Sequence, residues 1–246
     1  MQELLEQGLP SVAMTYDGIT LENLIEGYRT STVSGRETSD VEYEGDNVKF
    51  GTIITKQRIA YRPLIVKFIL KASTNEAFQE KFKQLMAALY RKKDVAITFA
   101  DAPDTHFYGR YSKFETVPVD RNQIITSFEI YCQDPLKYGP TIETSGEVTI
   151  DTTYETVPEE ILVTPSSTID HLEITNGTYT IRIDGNISLG HEVKILFKEQ
   201  EIYVNGVIST YMFVLNSDFE NFQIQQGETI TSSNGSLILK ARERWL

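Results

Sequence analysis

The sequence is short of cysteine and of long apolar runs, and both absences narrow its class. A single cysteine, Cys132, cannot form a disulfide within the chain, so stability has to come from packing or assembly. No stretch approaches the roughly 18 apolar residues of a membrane-spanning helix, and the start, Met1 to Pro10, lacks the pattern of a signal peptide. We therefore expect a soluble protein without a membrane partner, made and assembled in the cytoplasm, with Cys132 as a small core residue.

Basic residues are scarce relative to acidic ones. The 246 residues include 23 Lys and Arg against 35 Asp and Glu, which gives a net charge of −12. A protein that grips nucleic acid in general needs a basic face, so this balance argues against that role. It is compatible with a neutral or acidic channel through which DNA slides without being held.

Motifs of nucleophilic catalysis are absent from the sequence. It contains no Gly-x-Ser-x-Gly elbow, no phosphate-binding loop and no recognised Cys and His pairing. The nearest metal-binding group is Asp101, Asp104 and His106, in which two carboxylates and an imidazole fall within six residues. Asp and Pro with small neighbours also make a tight turn, and we favour that interpretation.

Three acidic residues of the second half, Glu159, Glu160 and Asp170, offer paired carboxylates of the kind that cleave glycosidic bonds. Their spacing in sequence does not fix the separation that such chemistry needs, so a solvated acidic face is the better interpretation. His171 and His191 stand alone and are expected to be structural or exposed. We predict no catalytic, cofactor-binding or metal-binding residues and no enzymatic activity.

Aromatic residues of the second half have flat apolar faces that could stack on sugar rings, although most are expected in the core or at an interface. They are Tyr179, Tyr203, Tyr211, Phe213, Phe219, Phe222 and Trp245.

In the first half, strands are predicted between Val48 and Leu70, with a dense apolar run from Leu64 to Leu70. The segment before them, Arg29 to Asp46, is rich in Ser, Thr, Gly and charge. Such a composition predicts a mobile surface loop, or an arm that becomes ordered only on contact.

One helix is predicted over about residues 75–91. Ser73 and Glu76 have the spacing of a capping box, and the cations Arg91, Lys92 and Lys93 suit the carboxyl end of a helix. The apolar residues between them recur at helical spacing and should pack on a sheet. These are Phe78, Phe82, Leu85, Met86, Leu89 and Tyr90.

After the helix, alternation predicts strands over Val95 to Phe99, Phe107 to Val117 and Ile124 to Cys132. A proline turn over Asp101 to Asp104 and a hairpin loop over Asp120 to Gln123 separate them.

Two proline dipeptides, Asp134-Pro135 and Gly139-Pro140, are predicted to end this sheet, because proline lacks a backbone donor. We place a domain boundary there. The remaining chain shows no helical period but many short alternating runs, which predicts a β-sandwich. Its turn signals are Asn176-Gly177, Asp184-Gly185, Asn205-Gly206 and Asn234-Gly235. Its inward faces are expected from Ile181, Ile183, Val193, Ile195, Phe197, Ile202, Val204, Leu237 and Leu239.

Two runs of the first half resemble a known family. Residues 94–111 read DVAITFADAPDTHFYGRY, and residues 128–140 read FEIYCQDPLKYGP. With the preceding helix and the early Tyr16-Asp17-Gly18, they resemble the N-terminal domain of the distal tail proteins of siphophages that infect Gram-positive bacteria. In the second half, Asn216-Ser217-Asp218-Phe219, then Gly227 and Arg244-Trp245, resemble the close of the C-terminal sandwich in those proteins.

The resemblance implies a mainly β protein: an N-terminal β domain with one packed α-helix, residues 1–138, and a C-terminal β-sandwich like a galectin or carbohydrate-binding module, residues 139–246. It implies a homo-hexameric ring at the virion tail tip, without cofactors. The ring would join the tail tube protein to the tail-tip protein and to receptor-binding proteins, and DNA would pass through without specific binding. The alternative is a carbohydrate-binding adhesion module that contacts the host cell wall.

A ring needs contacts in which one surface of a subunit meets a different surface of the next. The polar segment Arg29 to Asp46 is our candidate for an arm lent to the neighbour. The hairpin Ile53 to Arg62 is our candidate for a lumen or interface element.

Overall fold

The computed structural model describes residues 8–115 and 121–246 of the chain. It is mainly β, as predicted, and its described residues divide into two compact units between Lys137 and Tyr138. The predicted domain boundary, after residue 138, lies next to this division. The elements of the first unit are β1 (Met14–Tyr16), β2 (Ile19–Thr20), α1 (Leu21–Leu24), β3 (Tyr28–Ser34), β4 (Val41–Asn47), β5 (Thr52–Ile59), β6 (Arg62–Lys71), α2 (Asn75–Leu89), β7 (Val95–Phe99), β8 (Ala102–Phe114) and β9 (Gln123–Cys132).

Two antiparallel sheets that share β8 form the first unit. The start of β8 pairs with β7, which pairs with β1 and through it with β2. The end of β8 pairs with β9, followed by β6 and β3. Alternate residues of β6, namely Leu64, Val66, Phe68 and Leu70, are fully buried, which confirms the strand predicted over this run.

The helix α2 covers the inner face of β6, β8 and β9. Phe78, Leu85 and Leu89 are buried in the same cluster as Phe68 and Phe128, so the apolar stripe is a core face, as predicted. The predicted cap was wrong by one residue, because Thr74 rather than Ser73 accepts the hydrogen bond from the Ala77 amide.

The predicted end of the helix was also too late. The helix stops at Leu89, and Tyr90, assigned to the stripe, is 64% exposed. Arg91 lies beyond the last turn, where its side chain donates to the carbonyl of Ala87 and pairs with Asp17. The cation therefore satisfies a terminal carbonyl of the helix from outside it.

The prediction of a mobile polar loop over Arg29 to Asp46 was wrong. Residues 28–34 form β3 and pair with β6, while β4 pairs with β5 to form a separate antiparallel hairpin. The hairpin predicted from Ile53 to Arg62 is displaced, because its turn lies at Val48–Gly51 and Arg62 already belongs to β6. Composition misled because both faces of this hairpin are exposed, which leaves no buried period to detect.

Two local predictions around β8 need correction. The turn lies at Ala100–Asp101, and β8 already begins at Ala102, so Pro103 and Asp104 are strand residues. Gln123, placed in the loop, is the first residue of β9. The predicted strand end Val117 and loop residue Asp120 lie outside the described residues. Cys132 is fully buried and free, as predicted.

The strands of the remaining chain are β10 (Lys137–Thr144), β11 (Glu160–Thr164), β12 (Ile169–Thr175), β13 (Thr180–Ile187), β14 (Val193–Leu196), β15 (Glu201–Val204), β16 (Val207–Ile208), β17 (Thr231–Ser232) and β18 (Ser236–Trp245). They form the predicted sandwich, with one sheet ordered β16-β15-β14-β11-β18-β10 and the other β13-β12-β17. The prediction that Gly139-Pro140 ends a sheet was wrong, because both residues lie inside β10.

The inward faces of the sandwich match the predicted residues. Ile181, Ile183, Val193, Ile195 and Ile202 are fully buried, in one apolar cluster. The Asn-Gly turns after β12 and β15 form, and Asn205 and Gly206 both have positive φ, as a two-residue hairpin turn requires. The turn predicted at Asp184-Gly185 does not form. These residues lie within β13, beside an irregularity in its pairing with β12.

Candidate assembly interface

The hairpin β4–β5 is the most exposed structured part of the first unit. Every one of its strand residues is exposed, and among the described strands each of its two strands pairs only with the other. A two-stranded hairpin on its own is marginally stable in water, since it buries little apolar surface. This hairpin therefore stands away from the core as an arm, which we call the hairpin arm and define as residues 41–59.

The two faces of the hairpin arm differ in chemistry. On one face, Val41 lies opposite Ile59, and Tyr43 and Ile54 follow along it, with exposed fractions between 39% and 57% for these apolar side chains. On the other face, Glu42 lies opposite Arg58 and Glu44 opposite Lys56, in two exposed ion pairs.

The apolar and charged side chains lie on opposite faces of the arm because successive side chains of a strand alternate between its faces. An irregularity in the pairing between Glu44 and Gly45 places Ile54 on the apolar face. At the tip, the ring of Phe50 is 86% exposed, and the Lys49 amino group lies 5.5 Å from its centre. An exposed apolar surface rimmed by charge is typical of a surface that contacts another protein.

The exposed ion pairs add little to the stability of the arm. The Arg58 Nε to Glu42 Oε2 distance is 2.7 Å and the Lys56 Nζ to Glu44 Oε1 distance is 3.5 Å, but both pairs are largely solvated. Solvated pairs contribute about 0–1 kcal/mol each. The charged face therefore keeps the arm soluble, while its apolar face offers area to a partner.

A second group of exposed apolar residues lies on the sandwich, in β16 and in the segment that follows it. Val207, Ile208, Tyr211 and Leu215 are 56–91% exposed, and β16 forms the edge of its sheet. Tyr211 is the most exposed of the aromatic residues considered for stacking on sugar. Phe219 and Phe222 are buried in the sandwich core, and Phe213 packs against it.

The residues considered as a possible cation site, Asp101, Asp104 and His106, do not come together as one. Asp101 forms a bidentate pair with Arg36, at 2.8 and 3.0 Å, and the buried Nδ1 of His106 has no hydrogen-bond partner among the described residues. Within residues 8–115 and 121–246, no three His, Cys, Asp or Glu side chains lie close enough to hold a metal ion. Arg36 lies 65 positions from Asp101, which sequence spacing could not connect.

The three acidic residues considered for glycoside cleavage are each engaged in a separate contact. Glu159 pairs with Arg242, and Glu160 pairs with Lys240. Asp170 accepts from the neighbouring His171, which holds the pKa of its carboxyl below the usual range. These partners are those of a solvated, ion-paired surface rather than of an acid and a base that face one substrate.

Two other features of the described chain bear on function. An open depression is lined by Asn75, Arg121, Asn122, Gln123 and Ile125, with no acid among these residues. No described helix combines the length and the hydropathy needed to cross a bilayer.

Comparison with known proteins connects both units to phage tails. Residues 17–131 match the phage tail protein RIFT-related domain, and residues 151–245 match the C-terminal domain of the siphovirus-type tail component. The distal tail protein of Bacillus phage SPP1 is 25% identical over 245 residues, which covers 92% of this chain and 93% of that protein.

Solved structures share the fold. The crystal structure of the SPP1 Dit protein, described as a paradigm of the hub adsorption apparatus in phages that infect Gram-positive bacteria, superposes with a TM-score of 0.81 at 22% identity. The match covers 96% of this chain and 100% of the SPP1 chain. A chain of the phage p2 baseplate in its activated conformation with Ca matches with a TM-score of 0.56 at 8% identity, over 92% of both chains.

Proposed function

This chain belongs to the distal tail protein family of siphophages that infect Gram-positive bacteria, and from that premise we propose that six copies of it close into a ring at the tip of the virion tail. The chain is a component of the tail hub or baseplate. In the ring, each copy contacts the next through the hairpin arm. The observation that carries the proposal is the apolar face of this arm, which stays exposed and which no other described strand of its unit covers.

A closed ring of identical subunits requires two different surfaces on each subunit. The hairpin arm supplies one of them, and it is well suited because it projects from the core and can reach a neighbour without distorting either sheet. The role proposed from the sequence for the polar segment Arg29 to Asp46 and the hairpin Ile53 to Arg62 is here assigned to residues 41–59.

The ring joins the tail tube protein to the tail-tip protein and to receptor-binding proteins, and it is assembled in the host cytoplasm. Its role is structural and not enzymatic, and the ion-paired acids of the sandwich support this assignment. The net charge of −12 supports the passage of DNA without specific binding, because few cations are available to hold phosphates.

The test compares oligomeric states over a range of protein concentrations. We expect the native chain to form ring-shaped particles with a central hole, visible by electron microscopy, and to sediment with the mass of six copies in analytical ultracentrifugation. The double substitution Tyr43→Ser and Ile54→Ser removes apolar area from the arm, so ring formation should require a concentration at least about tenfold higher, equivalent to about 1.4 kcal/mol.

The matched control is Tyr211→Ser with Leu215→Ser, which removes comparable exposed apolar side chains from the sandwich. This pair should leave ring formation unchanged. The proposal is wrong if the native chain stays monomeric even with its tail partners, or if the arm variant assembles as readily as the native chain.

A further inference from the structure

A buried arginine lies where the hairpin arm joins the first unit. Arg62, the first residue of β6, is 1% exposed and is among the largest fully buried side chains. The arm leaves the sheet after β3 and returns just before Arg62, so its two feet are residues 35–40 and residues 60–61. The amide of Ala60 donates to the carbonyl of Asp40 at 2.8 Å, which closes the base of the arm.

The guanidinium of Arg62 donates to five acceptors, four in the outgoing foot and one in the segment after β9. Its Nη1 donates to the carbonyls of Gly35, Arg36 and Thr38, at 2.8, 3.1 and 2.9 Å. Its Nη2 donates to the Ser39 hydroxyl at 2.6 Å. Its Nε donates to the carbonyl of Pro135 at 2.7 Å, which ties the foot to the body of the unit.

Only arginine can make this set of contacts. Its planar group carries five N–H donors in a fixed geometry, whereas lysine has a single nitrogen and methionine has no donor. The acceptors are four backbone carbonyls and one hydroxyl rather than a carboxylate. The outgoing foot therefore folds around the guanidinium through hydrogen bonds from neutral groups. The ring of Phe107, 5.8 Å from the guanidinium carbon, covers one side.

A second arginine strengthens the same foot. Arg36 forms the bidentate pair with Asp101 and lies over the ring of Phe99, at 4.8 Å from its centre. Asp101 and Phe99 belong to the β7–β8 corner, so the foot is fastened to the body of the unit at two separate places. The arm is therefore held in one direction before any partner binds.

We propose that Arg62 is a positioning residue for assembly: it fixes the direction of the hairpin arm, and ring closure depends on it although it is buried and touches no neighbour. This inference rests on the proposed function. Every contact in a closed ring relates one copy to the next by the same rotation. If the direction of the arm varies, this rotation varies from contact to contact, and the sixth copy no longer meets the first. A rigid base also lowers the entropy lost when the arm docks.

The test measures the direction of the arm in the monomer. Spin labels are placed on Lys49→Cys at the tip and on Glu80→Cys on α2, in dilute protein. Cys132 is fully buried and stays unlabelled. We expect a narrow distribution of label distances in the native background and a broad one with Arg62→Lys. Arg91→Lys, the same change at an arginine that pairs with Asp17 rather than with the arm or its feet, is the control and should keep the distribution narrow.

Ring formation is then measured for the unlabelled variants. Arg62→Lys should raise the concentration needed for rings at least about tenfold and produce open or irregular particles, while far-ultraviolet circular dichroism remains native. If Arg62→Lys fails to fold, Ser39→Ala removes a single acceptor of the group and should broaden the distances to a smaller extent.

The outcomes separate this inference from the proposed function. An unchanged distance distribution with Arg62→Lys, or a broad distribution with normal rings, overturns the positioning role. Normal rings with Tyr43→Ser and Ile54→Ser overturn the role of the arm itself. A purely structural role of Arg62 would lower the melting temperature and leave the distances and the rings unchanged below it.

Discussion

Single buried polar groups connect distant parts of the first unit. The hydroxyl of Tyr16 is an example: it donates to the carbonyl of Leu89 at 3.0 Å and accepts the amide of Tyr111 at 3.2 Å. The residue is 1% exposed, and burial raises the pKa of its hydroxyl. One hydroxyl thus joins the end of α2 to β8, next to the β1–β2 turn.

Removing this hydroxyl leaves two backbone groups without a partner in the core. We expect Tyr16→Phe to lower the free energy of unfolding by about 1–3 kcal/mol, measured by denaturant titration. Tyr90→Phe serves as the control, because Tyr90 is 64% exposed, and a surface change of this kind should stay within about 0.5 kcal/mol. Equal effects of the two substitutions would contradict the role assigned to Tyr16.

The single cysteine gives a prediction about pH. Burial raises the pKa of the Cys132 thiol to about 12, and the thiolate is the reactive form. At pH 8 only about one part in ten thousand is then ionised, against about a quarter of an ordinary thiol. Alkylation of the folded chain should therefore be negligible from pH 7 to 9 and become fast on unfolding in denaturant, as followed by mass spectrometry. Rapid labelling of the folded chain would contradict the assignment.

What the sequence could predict at this scale depended on local environment. Burial of Cys132 followed from its type and its place in an alternating strand. The contacts of Asp101 with Arg36 and of Arg62 with Pro135 could not be predicted. The two partners of each contact lie far apart in sequence and meet only in the folded chain.

At the scale of elements, prediction succeeded where one face is buried. In β6 and α2 the apolar residues recur at the spacing of the buried face, so the sequence pattern reveals the element. The hairpin arm is exposed on both faces, so its sequence has no such pattern and resembles that of a polar loop. Pro140 misled for a related reason, because a proline breaks a strand only where its missing amide is needed, and a strand can otherwise contain it.

The N-terminal cap of α2 can be tested by mutation. Thr74 has extended backbone angles and accepts the Ala77 amide at 3.2 Å, so Thr74→Ala should cost about 1 kcal/mol of stability. Ser73→Ala removes a hydroxyl of the same kind from the neighbouring position and should have little effect. Thermal or chemical unfolding of the two variants distinguishes them, and a larger loss for Ser73→Ala would restore the capping box predicted from the sequence.

At the scale of the whole molecule, the two-part β architecture could be predicted because turn signals and alternation run through the chain. The fold that both units share with the SPP1 protein extends that prediction to a family. The assembly itself is less accessible to sequence, because contacts between copies leave no period and depend on how exposed surfaces are directed.

The net charge of the chain predicts how salt affects ring formation. Each copy carries a charge of −12, so bringing six together concentrates negative charge, and this repulsion is screened as the Debye length falls from about 30 Å at 0.01 M salt to about 10 Å at 0.1 M. If the apolar face of the hairpin arm holds the ring together, the concentration needed for rings should fall several-fold between 0.02 and 0.3 M salt, roughly within this screening range. Sedimentation at the two salt concentrations measures it. Rings that dissociate as salt rises would instead mean that ion pairs between copies dominate the contact, and the charged face of the arm, with Glu42 and Arg58, would then be the face that binds the neighbour.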